Sequence, residues 1–213
     1  MDTWLISDTH FGHGRNKGGI IEMMTRVKPG TKQMFDNIDE HDTCILDEIN
    51  ATVGRNDRLI INGDFAWGDP EPYRKRIKCK AVDLVLGNHD KKGQCCKVFR
   101  NVYDILQFKI QCQGYSQDVT MCHYPLCFWQ KSYAGSVHFY GHCHGMVEQR
   151  LDSLFPGRRS MDIGLDPIYD FTGMYKPVLA EELVCRVLER RDGHDDVEYY
   201  HTYQGKRFQE KTK

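Results

Sequence analysis

The chain has 213 residues, of which 40% are hydrophobic and 28% are charged, a composition that can bury a core and that excludes wholesale disorder. Its 29 basic and 30 acidic residues nearly cancel, so the overall charge does not favour nucleic acid or a membrane as partner. No apolar run reaches the roughly 18 residues of a membrane-spanning helix, and the nine cysteines lack the spacing of a zinc ribbon or a disulfide framework. We therefore expect a single cytoplasmic domain over residues 1–213, with reduced thiols and a loose tail at 204–213.

The first half of the chain alternates short apolar runs with helical patterns. The apolar, β-branched runs predict buried strands at residues 4–6, 59–61 and 82–86. Thr31 is a candidate N-cap for a helix over residues 32–53, and Pro70 or Pro72 can open a second helix that reaches residue 78. This β-α-β-α-β order indicates a layered α/β domain.

The second half shows a different pattern, in which apolar and polar residues alternate. It predicts a second, more antiparallel sheet, with strands at residues 105–111, 118–123, 136–140 and 160–163. A final helix is predicted over residues 179–190, where Leu183, Val184, Val187 and Leu188 share one face.

Residue types that bind metals follow the predicted strands, at the points where an α/β sheet presents its ligand site. In chain order they are Asp8-Thr9-His10, Gly63-Asp64, Gly87-Asn88-His89-Asp90, His123 and Gly141-His142-Cys143-His144. An aspartate and a histidine two residues apart can both turn toward one cation, and a single carboxylate can bridge two. Each segment alone is more typical of a turn or a cap, but five in succession indicate a metal centre.

These five segments resemble the D-x-H, G-D, G-N-H-[DE], H and G-H-x-H motifs of the calcineurin-like metallophosphoesterase superfamily. Three fuller phrases are similar to the small stand-alone phosphohydrolases of bacteria and phages: SDTHFGH from Ser7, HYPL from His123 and YKPV from Tyr175. The resemblance implies an α/β fold in which a two-sheet β-sandwich is flanked by helices, in four layers of the order αββα.

The resemblance also implies two divalent transition-metal ions, which would be Mn, Fe, Zn or Ni, with Mn favoured. It assigns Asp8, His10, Asp64 and His144 to one ion, and Asp64, Asn88, His123 and His142 to the other. His89 is then expected to meet the phosphate or to protonate the leaving oxygen, with Asp90 orienting it. The implied reaction is hydrolysis of a phosphomonoester or phosphodiester, with a small nucleotide-like substrate, by hydroxide generated at the metal pair.

Several neighbouring residues carry weaker expectations. His13 and Arg15 follow the first segment and are candidates for substrate contact, although a solvated loop position is the alternative for each. Trp67 stands where the superfamily often has a second aspartate, in G-D-x-x-D, so hydrogen-bond support for a ligand histidine is expected to differ. Cys143 lies between two predicted ligands, but the alternation of side chains predicts that its thiol points away from them.

Three other functions stay open from the sequence. A nuclease or nucleic-acid-end phosphatase of the same superfamily would use the basic residues between Arg74 and Lys80, although most such runs are solvated faces. A non-enzymatic binding or scaffold protein could keep a residual metal site, but every ligand position here holds a competent residue. A structural zinc site would draw on Cys95, Cys96, Cys122 and Cys143.

Overall fold

A computed structural model of the protein describes residues 1–14, 19–27, 34–112 and 114–189, with side chains omitted at 24–27. Arg15, the candidate N-cap Thr31 and the predicted loose tail at 204–213 lie outside the described residues. The prediction of a single domain over 1–213 stays a prediction.

Most of the strands expected from the sequence are present. In the described ranges the strands are β1 (Thr3–Ile6), β2 (Arg58–Ile61), β3 (Ala81–Val85), β4 (Asn101–Tyr103), β5 (Leu106–Cys112), β6 (Tyr115–Met121), β7 (Val137–Tyr140), β8 (Ser160–Asp162) and β9 (Val178–Leu179). The predictions for β1, β2, β3 and β5 to β8 are confirmed within a few residues. The short strands β4 and β9 were not predicted, because three and two residues give no periodic signal.

The strands form two sheets. The first has the order β4-β3-β2-β1-β9, with β1 to β4 parallel and β9 antiparallel to β1. The second has the order β5-β6-β7-β8. The expectation of a more antiparallel second sheet is correct only for β5 and β6, since β6–β7 and β7–β8 are parallel. Long crossover segments between these strands return the chain to the same end of the sheet, as parallel pairing requires.

The helices flank these sheets. They are α1 (Ile20–Val27), α2 (Ile38–Thr52), α3 (Glu71–Arg74), α4 (Lys92–Cys95), α5 (Glu148–Leu154), α6 (Leu165–Thr172) and α7 (Ala180–Glu189). The prediction for α7 is confirmed, whereas α2 begins later than predicted. Asn37 caps α2, because its side chain accepts a hydrogen bond from the backbone N–H of Glu40. The second predicted helix is shorter than expected and ends at Arg74. Across the described part of the chain, no helix combines the length and apolarity needed to cross a bilayer.

Alternate residues of the first sheet enter two separate cores. Leu5, Ile60 and Val85 join a buried cluster with Val119, Met121 and Phe139 of the second sheet and Leu183 and Val184 of α7. Ile6, Leu59 and Ile61 point the other way, into a cluster with Ile45, Leu46 and Ile49 of α2. Both faces of the central strands are therefore buried, which explains their mainly apolar sequences. The exception is Asp83 in the middle of β3, which is fully buried and paired with Arg58 and Arg100.

Candidate metal centre

The predicted ligands lie where the strands of the two sheets end. Asp8 follows β1, Asp64 follows β2 and His89 follows β3, while His123 and His142 follow β6 and β7. Backbone hydrogen bonds fasten the first two loops together. The N–H of Asp8 donates to the carbonyl of Gly63 at 3.1 Å, and the N–H of His10 donates to the carbonyl of Asp64 at 2.9 Å. Side chains distant in sequence therefore share one small volume.

The backbone is strained at the predicted ligands. Among described non-glycine residues, positive φ angles occur at Asp8, His10, Asp64, Lys131, His142 and His144. Five of these six are predicted metal ligands. A left-handed backbone is costly for a residue with a Cβ and tends to persist where function requires it.

Glycines allow the carboxylates to approach the neighbouring loops. A Cβ atom at Gly87 would overlap the carboxylate and backbone of Asp64, and one at Gly141 would overlap the carboxylate of Asp8. The glycine that opens each of these two motifs is thus required by close approach rather than by chain flexibility.

Asp64 occupies the centre of the cluster. Its Oδ2 lies 3.3 Å from Nε2 of His123, 3.7 Å from Nε2 of His10 and 3.8 Å from Nε2 of His89. Its Oδ1 accepts a hydrogen bond of 2.9 Å from the backbone N–H of His89. One carboxylate thus faces ligands from three other loops, as a bridging role requires.

Three overlapping groups of side chains within the described residues have a spacing suited to a metal ion. They are Asp8 with His10 and His144, Asp64 with His123 and His142, and His10 with Asp64 and His89. The first two groups agree with the ligand sets that the resemblance implies. The third adds His89, which was not expected among ligands. Asn88 lies on the same loop and is exposed.

His123 and His144 are oriented so that one ring nitrogen of each is available to a cation. Nδ1 of His123 lies 2.8 Å from the carbonyl of Asn62, and Nδ1 of His144 lies 2.7 Å from Oδ2 of Asp166. Because these acceptors hold the proton on Nδ1, they leave the lone pair of a neutral ring on Nε2.

Two ring nitrogens of the cluster are buried without a well-formed hydrogen bond. In the described part of the chain, Nε2 of His10 and Nε2 of His123 make no hydrogen bond of good geometry, although the Asp64 carboxylate lies 3.3 Å from Nε2 of His123. A buried polar atom without a partner costs free energy, and a coordinated cation would remove that cost. Imidazole nitrogen and carboxylate oxygen together suit Mn, Fe, Zn or Ni. The residues present therefore fit a pair of divalent transition-metal ions.

Burial and neighbouring charges shift the pKa values of the clustered side chains in different directions. Burial opposes protonation of His123, but the adjacent carboxylates of Asp64 and Asp8 outweigh it and raise the pKa of His123 to about 9. Burial likewise opposes ionisation of Asp8, but the neighbouring His10 and His123 keep its pKa below the ordinary value. Burial also lowers the pKa of His89 and of His142. The carboxylates are therefore ionised at neutral pH and ready to bind cations.

Asp90 has contacts that differ from its expected role. Its carboxylate accepts backbone N–H bonds from Asp64 at 2.8 Å, Phe65 at 3.0 Å and Gly87 at 2.9 Å. These bonds join the loop after β2 to the loop after β3. Asp90 thus positions Asp64, and its hydrogen bonds do not orient His89 as the resemblance implied.

Three further aspartates support the cluster and were not predicted. The carboxylate of Asp166 lies against Nδ1 of His144. One oxygen of Asp42 accepts a hydrogen bond of 2.9 Å from the backbone N–H of Gly12, and the other lies 2.9 Å from Nδ1 of His41. Burial raises the pKa of Asp162 to about 7, and the charge of Asp8 acts in the same direction. Each lies outside the five motifs, among 30 acidic residues in the chain, so no sequence signal singled them out.

His13 and Trp67 form an aromatic stack at one side of the cluster. Their ring centroids are 4.3 Å apart with an interplanar angle of 6°. Nδ1 of His13 lies 3.2 Å from Nδ1 of His10, and burial with the charge of His10 lowers the pKa of His13 to about 4. Trp67 also packs against His89, with centroids 4.9 Å apart. The residue in place of the second aspartate therefore supports the site by ring packing.

The cysteines stay outside the cluster. None of the groups with metal-binding spacing in the described ranges contains one, which does not support the structural zinc site considered above. Burial raises the pKa of Cys143 to about 11 and that of Cys95 to about 12, so both remain thiols at neutral pH. Cys122 is buried beside His123.

Part of the basic run is committed to local structure. The Arg74 guanidinium donates to the carbonyls of Ile77 and Cys79, each at 3.2 Å. The ammonium group of Lys75 pairs with Glu71 at 2.8 Å, one turn away. These contacts agree with a solvated face and add nothing in favour of a nucleic-acid path.

A cleft of about 540 Å³ opens beside His144. Its lining includes Glu148, Asp152, Asp162 and Asp170. Two of these carboxylates, Glu148 and Asp152, pair with the Arg158 guanidinium at 2.9 and 2.8 Å, so part of the negative charge of the cleft is compensated.

Comparison with known proteins gives distant relatives. Gene 66 protein of Mycobacterium phage L5 is 24% identical over 201 residues, which cover 78% of this chain and 86% of that protein. Uncharacterized protein MJ1445 of Methanocaldococcus jannaschii is 24% identical over 191 residues, 88% of this chain and 91% of that protein. No protein-family model matches the chain.

A solved structure shares the fold. The crystal structure of the protein of unknown function AQ665 from Aquifex aeolicus matches with a TM-score of 0.59 and 22% sequence identity. The match covers 85% of this chain and 97% of AQ665. At this identity the similarity concerns the α/β fold alone.

Proposed function

We propose that this protein is a phosphoesterase that depends on two divalent transition-metal ions, Mn favoured, and that hydrolyses a small phosphomonoester or phosphodiester. The observation that carries the proposal is that histidines from four strand-end loops, those after β1, β3, β6 and β7, surround Asp64 on the loop after β2. Further support comes from the buried Nε2 atoms of His10 and His123, which make no hydrogen bond of good geometry within the described residues. In this proposal the two sheets and their helices form the four-layer αββα arrangement of the metallophosphoesterases.

The proposal gives each residue a role. Asp8, His10, Asp64 and His144 would hold one ion, and Asp64, Asn88, His123 and His142 the other. When bound, such a pair lowers the pKa of a water molecule and neutralises charge on a phosphoryl group. Asp166 and the carbonyl of Asn62 keep the rings of His144 and His123 in the ligating orientation.

His89 is assigned to the phosphate rather than to the leaving group. Its pKa is already lowered by burial, and added cations would lower it further. A neutral ring at pH 7 is a poor acid, yet its N–H still donates a hydrogen bond. Of the two roles expected from the sequence, phosphate positioning is therefore the better supported.

The test is an assay of the chelated protein reloaded separately with Mn²⁺, Zn²⁺, Fe²⁺ and Ni²⁺ against a panel of phosphomonoesters and phosphodiesters. We expect at least one metal to restore hydrolysis of at least one ester, and the Asp64→Asn variant to remain inactive. Asp104→Asn is the matched control, because Asp104 is exposed and pairs with Lys92. Metal uptake without hydrolysis of any ester would instead favour the binding or scaffold protein.

A further inference from the structure

Trp67 is an exposed aromatic residue beside the metal cluster. Its side chain is 52% exposed, although it follows the buried segment Asp64 to Ala66. The backbone is fixed, because the N–H of Trp67 donates to the carbonyl of Phe11 at 2.8 Å. Exposure of a single apolar residue is ordinary; what distinguishes Trp67 is that its ring packs against His13 and His89 at the cluster.

The indole is held in a defined orientation. His13 lies nearly parallel to it at 4.3 Å, and His89 packs against it at 4.9 Å with an angle of 48°. With one face on His13 and half of the side chain still exposed, the ring presents its remaining surface to solvent. It is therefore a rigid platform rather than a free side chain.

The platform lies next to the expected position of the phosphate. His89, which touches the indole, has its Nε2 atom 3.8 Å from Oδ2 of Asp64. A substrate whose phosphate meets the cluster from the His89 side would bring its attached group over Trp67.

We propose that Trp67, backed by His13, is a stacking site for the planar base of a nucleotide whose phosphate lies at the metal cluster. The proposal rests on the proposed phosphoesterase function and names its substrate class. Stacking on an aromatic ring suits any base, because every base has a π face. A purine or pyrimidine covers the indole, whereas a sugar phosphate without a base leaves it in water.

The test compares two probes that share sugar and phosphate, adenosine 5′-monophosphate and ribose 5-phosphate. Their dissociation constants are measured by calorimetry on the full chain loaded with Mn²⁺. We expect the adenosine compound to bind roughly ten- to hundred-fold more tightly, in line with the worth of one stacked base. Trp67→Ala should bring the two dissociation constants together, whatever its effect on ribose 5-phosphate alone through the lost packing on His89, and Trp67→Phe should retain most of the preference.

Two control variants identify the ring responsible. Trp129→Phe changes an indole that packs against His138, away from the cluster, and should leave the preference intact. Tyr124, 42% exposed and 5.0 Å from the ring of His142, is the rival aromatic surface. Loss of the preference in Tyr124→Ala but not in Trp67→Ala would overturn the proposal.

Failure of the stacking site and failure of the proposed function give different results. Equal affinity for the two probes, or no binding of either, overturns the stacking site even if other phosphoesters are hydrolysed. A base preference that depends on Trp67, in a protein that hydrolyses no phosphoester with any metal, would support the stacking site and refute the enzyme.

Discussion

Asp64 is the residue on which the cluster depends most. It faces His10, His89 and His123 from one carboxylate. Asp64→Asn removes charge from both proposed ions at once, so we expect loss of most of the bound metal. Turnover should fall by more than about a hundred-fold, because substitution of a residue that only hydrogen-bonds to a ligand costs about ten- to hundred-fold. Metal analysis and turnover are compared with Asp8→Asn, which should lose mainly one ion. Retention of two ions and a near-normal rate in Asp64→Asn would refute the bridging role.

His89 offers a test of how the phosphate is held. A single hydrogen bond to a charged group is worth about 1.5–3 kcal/mol, so His89→Ala should retain both metals and lose roughly ten- to hundred-fold in kcat/KM. The loss should be similar for a nitrophenyl ester and an alkyl ester, because positioning does not depend on the leaving group. A loss confined to the alkyl ester would show instead that His89 is the acid, and loss of metal would make it a ligand.

His123 links metal binding to pH. In the metal-free protein its pKa is raised to about 9, so at pH 7 the ring is protonated and must lose that proton to bind a cation. We expect apparent metal affinity to rise with pH up to about 9, with about one proton released from this ring at pH 7 and fewer at pH 10. Calorimetry in buffers of different ionisation enthalpy measures the release. The same release at both pH values would contradict this assignment.

The metal-free fold should show the opposite dependence on pH. A histidine whose folded pKa lies above its unfolded value of about 6.5 stabilises the fold fully below that value and loses its contribution as pH rises through about 9. Metal therefore stabilises the protein most where His123 alone stabilises it least. His123→Asn removes both effects and serves as the control.

At the level of elements, the loops after β2 and β3 are joined through Asp90. Both carboxylate oxygens of Asp90 accept hydrogen bonds from backbone N–H groups. In Asp90→Asn one of these oxygens becomes an NH2 group, which donates hydrogen bonds and therefore cannot accept from the N–H it faces. We expect the free energy of unfolding to fall by about 1–3 kcal/mol and metal affinity to fall with it. Denaturant titration measures the first, with the exposed Asp104→Asn as control. Unchanged stability would mean that these bonds do not hold the loops.

The elements that position the cluster could be predicted because their signal is local. Each central strand is a short, mainly apolar run that is followed within three residues by Asp8, Asp64 or Asn88, and both of its faces are buried. The start of α2 was predicted too early, although Asn37 followed three residues later by Glu40 is a local signature of a helix N-terminus and Asn37 does accept from the Glu40 N–H. The parallel pairing of β7 and β8 could not be predicted, because it depends on the course of the segments that connect the strands, and the local sequence pattern does not indicate that course.

The supporting aspartates illustrate the same limit at the site. The spacing of the motif histidines makes them recognisable in the sequence. Asp42 and Asp166 lie on helices α2 and α6, and their contacts with Gly12 and His144 form only once those helices have packed. Trp67 could be noted as a departure from the superfamily pattern, but its stacking on His13 is a property of the folded loops. The motifs therefore predict which side chains cluster, but not which residues surround that cluster.

At the scale of the whole molecule, two sheets and their helices bring the candidate ligands, which run from Asp8 to His144, together where the strands end. We propose that this cluster binds two ions and that both are needed for turnover. The most direct measurement is the rate of phosphate release as Mn²⁺ is added stepwise to the chelated protein, with a phosphoester found in the panel. We predict no activity without metal and a rate that rises until about two equivalents are bound and then levels off. Activity that survives chelation, or no phosphate release at any metal loading, would contradict the account.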